Sequence, residues 1–157
     1  MRFVDVAKSV GLDYRWPKQP RPLRSLEAFG VGCAFLDYDN DGWQDILLVN
    51  KPTVAVFHNQ RGRFANVTKP LGFERFKGDW KGVAVGDYDG DGWLDVLLTG
   101  YRCLALLRND GGRKFIDATR AAGLSSTNRN HWGSSAGFMD LDANGTLDLV
   151  LLNFEIE

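Results

Sequence analysis

One nine-residue phrase occurs three times in this chain, and it constrains the possible folds more than any other feature. Asp37-Tyr38-Asp39-Asn40-Asp41-Gly42-Trp43-Gln44-Asp45 recurs as Asp87-Tyr88-Asp89-Gly90-Asp91-Gly92-Trp93-Leu94-Asp95, and again as Asp140-Leu141-Asp142-Ala143-Asn144-Gly145-Thr146-Leu147-Asp148. The copies begin 50 and 53 residues apart. Self-similarity at such a period is the mark of a repeat architecture.

The flanks repeat as well. Small and apolar residues precede each phrase: Gly32-Cys33-Ala34-Phe35-Leu36, Val83-Ala84-Val85-Gly86 and Ala136-Gly137-Phe138-Met139. Dense apolar runs follow: Ile46-Leu47-Leu48-Val49, Val96-Leu97-Leu98 and Leu149-Val150-Leu151-Leu152. Runs this short, bounded by Gly, Asp and Asn, read as buried strands rather than helices. The first two repeats add a third strand, Val54-Ala55-Val56-Phe57 or Leu104-Ala105-Leu106-Leu107. A turn at Asn59-Gln60-Arg61-Gly62 or Asn109-Asp110-Gly111-Gly112 leads to a fourth strand at residues 63–67 or 114–118. Asn and Gly suit such turns because they tolerate positive φ.

Four short strands per repeat of about 50 residues describe a β-propeller blade. The expected fold is therefore all-β, with blades of four antiparallel strands and about two and a half blades in total. Residues 31–81 form the first blade, 82–134 the second and 135–157 part of a third. The phrase Phe64…Val67-Thr68…Leu71-Gly72-Phe73 matches Phe115…Ala118-Thr119…Ala122-Gly123-Leu124, and a copy opens the chain as Phe3-Val4-Asp5-Val6…Val10-Gly11-Leu12. Residues 2–7 thus read as a fourth strand lacking its first three, with a short helical turn after each copy. Residues 1–30 combine this strand with a connector rich in Pro and Arg. Strand edges and apolar blade faces at both ends invite association, so the expected partners are further blades of a longer chain or a second copy.

The three phrases also concentrate charge. Of 20 acidic residues, eleven lie within them, leaving nine to face 19 bases elsewhere, while the net charge of the whole chain is −1. Four carboxylates packed into one tight loop repel one another unless a cation is present. Ca²⁺ takes six to eight oxygens at about 2.3–2.6 Å, and alternate Asp residues can turn their carboxylates inward to supply them. The candidate ligands are Asp37, Asp39, Asp41, Trp43 and Asp45 in the first loop. The second loop offers Asp87, Asp89, Asp91, Trp93 and Asp95, and the third Asp140, Asp142, Asn144, Thr146 and Asp148. The residues at the seventh position contribute a backbone carbonyl, which leaves that side chain free to be Trp or Thr. Gly42, Gly92 and Gly145 permit the reversal that a Cβ hinders. Up to three Ca²⁺ are expected. The third loop should bind most weakly, because neutral Asn144 leaves it three carboxylates. An EF-hand begins similarly but closes with Glu at position 12 between helices; here an acid at position 9 closes a loop between strands.

These loops resemble the FG-GAP/VCBS repeat, as in integrin α-subunit propellers. Residues 115–119 and 123–124, preceded by Arg108-Asn109-Asp110-Gly111, are similar to the secreted subfamily that carries a C-terminal ASPIC/UnbV module and includes cartilage acidic protein. That resemblance implies a calcium-dependent propeller, secreted or surface-attached, serving as an adhesion or recognition platform. An extracellular, cell-surface or periplasmic location follows from it. The Gly-Ala-Pro half of the FG-GAP signature is missing, and no inserted ligand-binding domain is present.

Function is read as a non-enzymatic scaffold whose ligand is a protein or a glycan. The alternative is the propeller portion of a carbohydrate-active enzyme, a polysaccharide lyase or hydrolase. Against it, His58 and His131 are the only histidines, no Ser-His-Asp order or HExxH accompanies them, and calcium already accounts for the paired carboxylates. Nucleic acid is not an expected partner, since no basic cluster lies on one element, and no apolar run approaches a membrane span. Trp80, Trp132 and His131 precede first strands, where two readings stand open: contact with a ligand or packing between blades. Cys33 and Cys103 lie in apolar runs and read as buried free thiols.

Overall fold

A computed structural model describes residues 2–15, 32–49, 51–124 and 131–155. It contains two four-stranded antiparallel sheets and one two-stranded sheet. The first sheet comprises β1 (Cys33–Leu36), β2 (Asp45–Leu48), β3 (Ala55–Asn59) and β4 (Phe64–Asn66), paired in chain order. The second comprises β5 (Trp80–Gly86), β6 (Asp95–Gly100), β7 (Cys103–Asn109) and β8 (Phe115–Asp117), and the third pairs β9 (His131–Met139) with β10 (Asp148–Glu155). The all-β, blade-like architecture read from the repeats is what forms.

Period-2 alternation decides how the sheets stack. In the second sheet Val96, Leu98, Ala105, Leu107 and Phe115 point one way, into a core shared with Leu36, Leu47, Val49, Val54 and Val56 of the first. Their alternates Ala84, Leu97 and Leu106 point the other way, against Ala136, Phe138, Leu149 and Leu151 of the third. Successive side chains of a strand face opposite sides, so the continuous apolar run of β6 fills two interfaces at once and is buried from end to end. Phe73 and Phe115, both fully buried with ring centroids 4.8 Å apart, wedge the first two sheets together, and the Phe115 N–H donates to the Leu71 carbonyl.

The first strands of the second and third sheets run longer than their sequence suggests. β5 begins at Trp80 and β9 at His131, including Gly82, Gly133 and two serines that are poor strand formers. Crowding explains the glycines: a Cβ on Gly82 would lie 2.5 Å from Thr99 Oγ1 and 2.9 Å from the Ser134 carbonyl. Trp80, for which ligand contact and packing both stood open, is buried, with its indole N–H donating to the Phe76 carbonyl. Trp132 packs its ring against Tyr101 and Phe154. Both tryptophans therefore pack within and between sheets; the His131 side chain lies outside the described residues.

Two further expectations change. Residues 2–6 form no strand, since among the described residues no third strand lies beside them to share hydrogen bonds. The rest of their phrase folds like its copies. Ala7, Thr68 and Thr119 each donate a backbone N–H to the carboxylate or amide two residues earlier. Val10, Leu71 and Ala122 then close an identical turn onto the carbonyls of Val6, Val67 and Ala118. Cys33 is a free thiol but exposed, and Phe35 is 66% exposed, because none of the described residues covers that face of β1. The connector at residues 16–24 lies outside the described residues.

Candidate metal centres

Each Asp-rich loop joins the first and second strands of its sheet, and the three are built by one set of hydrogen bonds. The carboxylate at position 1 accepts two backbone N–H groups across the turn. Asp37 takes those of Asp41 (3.0 Å) and Gly42 (2.8 Å), Asp87 those of Asp91 (3.0 Å) and Gly92 (2.8 Å), and Asp140 those of Asn144 (3.0 Å) and Gly145 (2.8 Å). The residue at position 5 accepts the N–H two positions on, from Trp43, Trp93 or Thr146. Gly42, Gly92 and Gly145 adopt φ of +87°, +87° and +86°, the left-handed region that favours glycine. Position 4 is left-handed too, at Asn40, Gly90 and Ala143; Ala143 has neither the freedom of Gly nor the polar side chain of Asn to ease this.

The acid at position 9 ties the loop to its sheet. Asp45 Oδ2 accepts the Tyr38 N–H and Asp45 Oδ1 the Asn59 N–H (2.7 Å); Asp95 repeats this with Tyr88 and Asn109 (2.8 Å). Asp148 Oδ2 accepts the Leu141 N–H, but the third sheet has no third strand among the described residues to serve Oδ1. Asp45 and Asp95 are wholly buried. Burial pushes the Asp95 carboxyl up to about 6, against the pull of the Asn109 and Tyr88 N–H groups and with added repulsion from Asp89 and Asp91. Burial raises Asp45 as well, opposed by Asn59, Tyr38 and His58.

Carboxylate oxygens from positions 1, 3 and 9 converge in every loop: Asp37 with Asp39 and Asp45, Asp87 with Asp89 and Asp95, Asp140 with Asp142 and Asp148, each set within 4.8 Å. Asp41 falls in a different group, with Asp39 and His58, while Asp91 lies 3.6 Å from Arg108 Nη1. Asp39 Oδ1 is buried without a hydrogen-bond partner, the state expected of an oxygen shaped for a cation. An all-oxygen, carboxylate-rich donor set fits a hard divalent ion.

Two contributors escaped the sequence reading. Asn59 and Asn109, read as turn formers, are clasps; positive φ falls instead on Arg61, Gly62, Gly111 and Gly112. Buried Asn109 donates Nδ2–H to the Leu94 carbonyl and, across the sheet boundary, to the Tyr38 carbonyl (2.8 Å), while its Oδ1 accepts the Gly112 N–H. Asn40 Nδ2 donates to the Gly92 carbonyl, so the first and second loops are directly joined. His58, preceding the Asn59 clasp as Arg108 precedes Asn109, has Nδ1 3.1 Å from Asp45 Oδ1 and 3.7 Å from Asp39 Oδ2. The signal for both was positional: a basic residue followed by Asn at the end of each third strand.

Stacked four-stranded sheets with an acidic loop between the first and second strands define a propeller-type repeat protein with candidate cation sites. The chain matches the FG-GAP-like repeat family over residues 37–98 and again over 87–151, and it belongs to that family. Comparison with curated proteins finds no match.

Proposed function

We propose that this chain is a calcium-binding β-propeller segment that serves as a non-enzymatic recognition or adhesion scaffold. The observation that carries the reading is the rebuilding of one carboxylate cluster three times, at the same junction of first and second strand, by the same hydrogen bonds. Asp37, Asp39, Asp41 and Asp45 would hold the first ion, with the Trp43 carbonyl. Asp87, Asp89, Asp91 and Asp95 would hold the second with the Trp93 carbonyl, and Asp140, Asp142, Asn144 and Asp148 the third with that of Thr146. Bound calcium neutralises carboxylates whose mutual repulsion otherwise loosens the loop. The chain's own groups do the rest: position 1 sets the turn, and position 9 anchors it to the sheet.

The finer resemblance to the ASPIC/UnbV-type secreted subfamily supports an extracellular, cell-surface or periplasmic location, where calcium sites of modest affinity are filled. Among the described residues no helix is long and apolar enough to cross a membrane. The faces of β1 and β10 that no described residue covers, with Phe35, Val150, Leu152 and Phe154 exposed, support further blades or a second copy as structural partners. A protein or glycan is the proposed ligand.

The test is a thermal melt in EDTA and in millimolar Ca²⁺. A metal that binds only the native state adds about 2.7 kcal/mol per site at 100-fold excess over Kd, so a clear rise in Tm is expected. An unchanged melt refutes the calcium reading.

A further inference from the structure

The end of the second sheet farthest from its acidic loop gathers charge of the opposite sign. The loop joins β5 to β6 where Gly86 pairs with Asp95, and the other end of that pairing is Trp80 with Gly100. There the Tyr101 N–H donates to the Asp79 carbonyl (3.0 Å), which draws the β6–β7 turn against the connection leading into β5. Arg75 and Lys77 from that connection and Arg102 from the turn line one open cleft of about 370 Å³, with Phe76, Trp80 and Leu104 as apolar wall. A cavity of this size suits a small ligand or one unit of a larger one.

The charges in the cleft do not balance. Elsewhere bases meet acids: Lys51 and Lys81 share Asp79, and Arg113 and Lys114 share Asp110. Among the described residues Arg75, Lys77 and Arg102 have no carboxylate partner. Asp117, the acid in the lining, accepts the Thr119 N–H (2.9 Å) and hydroxyl (2.5 Å) on one oxygen. The Cys103 thiol beside it is pushed up to about 11 by burial and stays neutral. Three cations against one carboxylate leave the cleft positive. Two of the cations are also held in place. Arg75 Nε donates to the Gly72 carbonyl (3.1 Å), and its guanidinium carbon lies 5.7 Å from the Phe76 ring centroid. The Arg102 guanidinium carbon lies 5.4 Å from the Tyr101 ring centroid. A planar guanidinium matches the paired oxygens of a carboxylate or sulfate, and one already fixed by its neighbours loses less freedom on binding.

The shape of the cleft selects among anions. A nucleic-acid backbone calls for bases strung along a groove to meet successive phosphates, whereas here three cations surround one pocket with an apolar wall. We propose that Arg75, Lys77 and Arg102 bind the carboxylate or sulfate group of an acidic glycan, with sugar carbons packed on Phe76 and Leu104. This rests on the reading of the chain as a recognition scaffold, and it names the class of glycan and the place where it docks, apart from the cation loops.

The probes are a heparin tetrasaccharide, which carries sulfates and uronates, and an oligogalacturonate of equal length, which carries uronates alone. Each is titrated by calorimetry into the full chain in saturating Ca²⁺. Binding of at least one is expected, weakening as salt rises, and the ratio of the two tells sulfate from carboxylate. Lys77→Gln combined with Arg102→Asn should weaken it at least tenfold. Both side chains are exposed, and Asn tolerates the left-handed φ of +55° at residue 102, so the fold is kept. Lys77→Gln alone should weaken binding in the same direction. Arg63→Gln, which removes an exposed charge at the loop end of the first sheet, should leave it unchanged. An equal loss in Arg63→Gln overturns the proposal, as does tighter binding of a single-stranded DNA oligomer of equal charge. Glycan binding lost in Asp95→Asn but kept in the double variant puts the glycan on bound calcium. That result overturns this site and leaves the scaffold reading standing, as does preference for neutral cellotetraose. Failure of acidic and neutral glycans alike to bind overturns the glycan reading itself.

Discussion

Strand β6 is buried along its whole length, whereas its counterpart β10 leaves Val150, Leu152 and Phe154 exposed by 37%, 58% and 61%. Both strands carry the same kind of apolar run after the same kind of acidic loop. The difference lies in their neighbours: among the described residues β6 has a sheet on each face, and β10 has one on a single face. It extends to the loops. Asp95 is fully buried and receives a donor from the third strand, while Asp148 is partly exposed and receives none from a third strand among the described residues. A blade's sequence specifies its strands, but the strands and sheets beside it decide how dry and how firmly held its acidic loop becomes.

The largest expected effect tests that contrast in the core. Leu97→Ala removes a fully buried side chain between the second and third sheets and should cost about 2–5 kcal/mol. Leu152→Ala, in the corresponding run of β10, should cost about 0.5 kcal/mol or less. Urea unfolding of both variants measures the gap, and equal losses would show that the outer face of β10 is covered in solution. Next is the clasp. Asn109→Ala strands the Tyr38 and Leu94 carbonyls and the Gly112 N–H, and should cost about 1–3 kcal/mol. Asn59→Ala loses only bonds in a more exposed turn, to Gln44 and Gly62, and should cost about 1 kcal/mol or less.

Acidity sharpens the comparison further. A carboxyl whose folded pKa is raised binds its proton more tightly in the native state than in the unfolded chain. The cation-free protein should therefore lose stability as pH rises from about 4 through about 6, with Asp95 the main contributor. Saturating Ca²⁺ should reverse the slope, because the ion requires the carboxylate. Denaturant midpoints across this pH window, with EDTA and with calcium, read out both signs. The smallest effect lies in the third loop. Asn144→Asp keeps an acceptor for the Thr146 N–H and hydroxyl and adds a fourth carboxylate, and should tighten calcium there roughly tenfold. If the parent third loop already binds most tightly, rigidity outweighs charge and the ranking of loops is inverted.

Much of the fold was legible because its signals are local. The Asp spacing with Gly at position 6 fixes a loop, and the short apolar runs on either side fix strands. What was not legible depends on partners distant in sequence. The reading of residues 2–7 as a strand failed because a strand exists only beside another. Trp80 stayed open between ligand contact and packing because its burial comes from Phe76 and the first sheet's residues, none of them visible as a pattern. Cys33 read as buried because an apolar run does not reveal which of its faces the neighbouring described sheet covers. Asn109 read as a turn residue because its main contact, the Tyr38 carbonyl, is 71 positions away. His58 went unassigned since a single histidine in a strand carries no spacing to interpret.

That 71-residue contact also sets an order of events during synthesis. The first loop is translated early, yet the group that caps its Tyr38 carbonyl belongs to Asn109, and Asn40 waits for the Gly92 carbonyl. Until the second repeat has left the ribosome and paired its strands, the first loop lacks these two ties and cannot reach its final shape. The second blade thus completes the loop of the first, which matures one repeat behind its own translation.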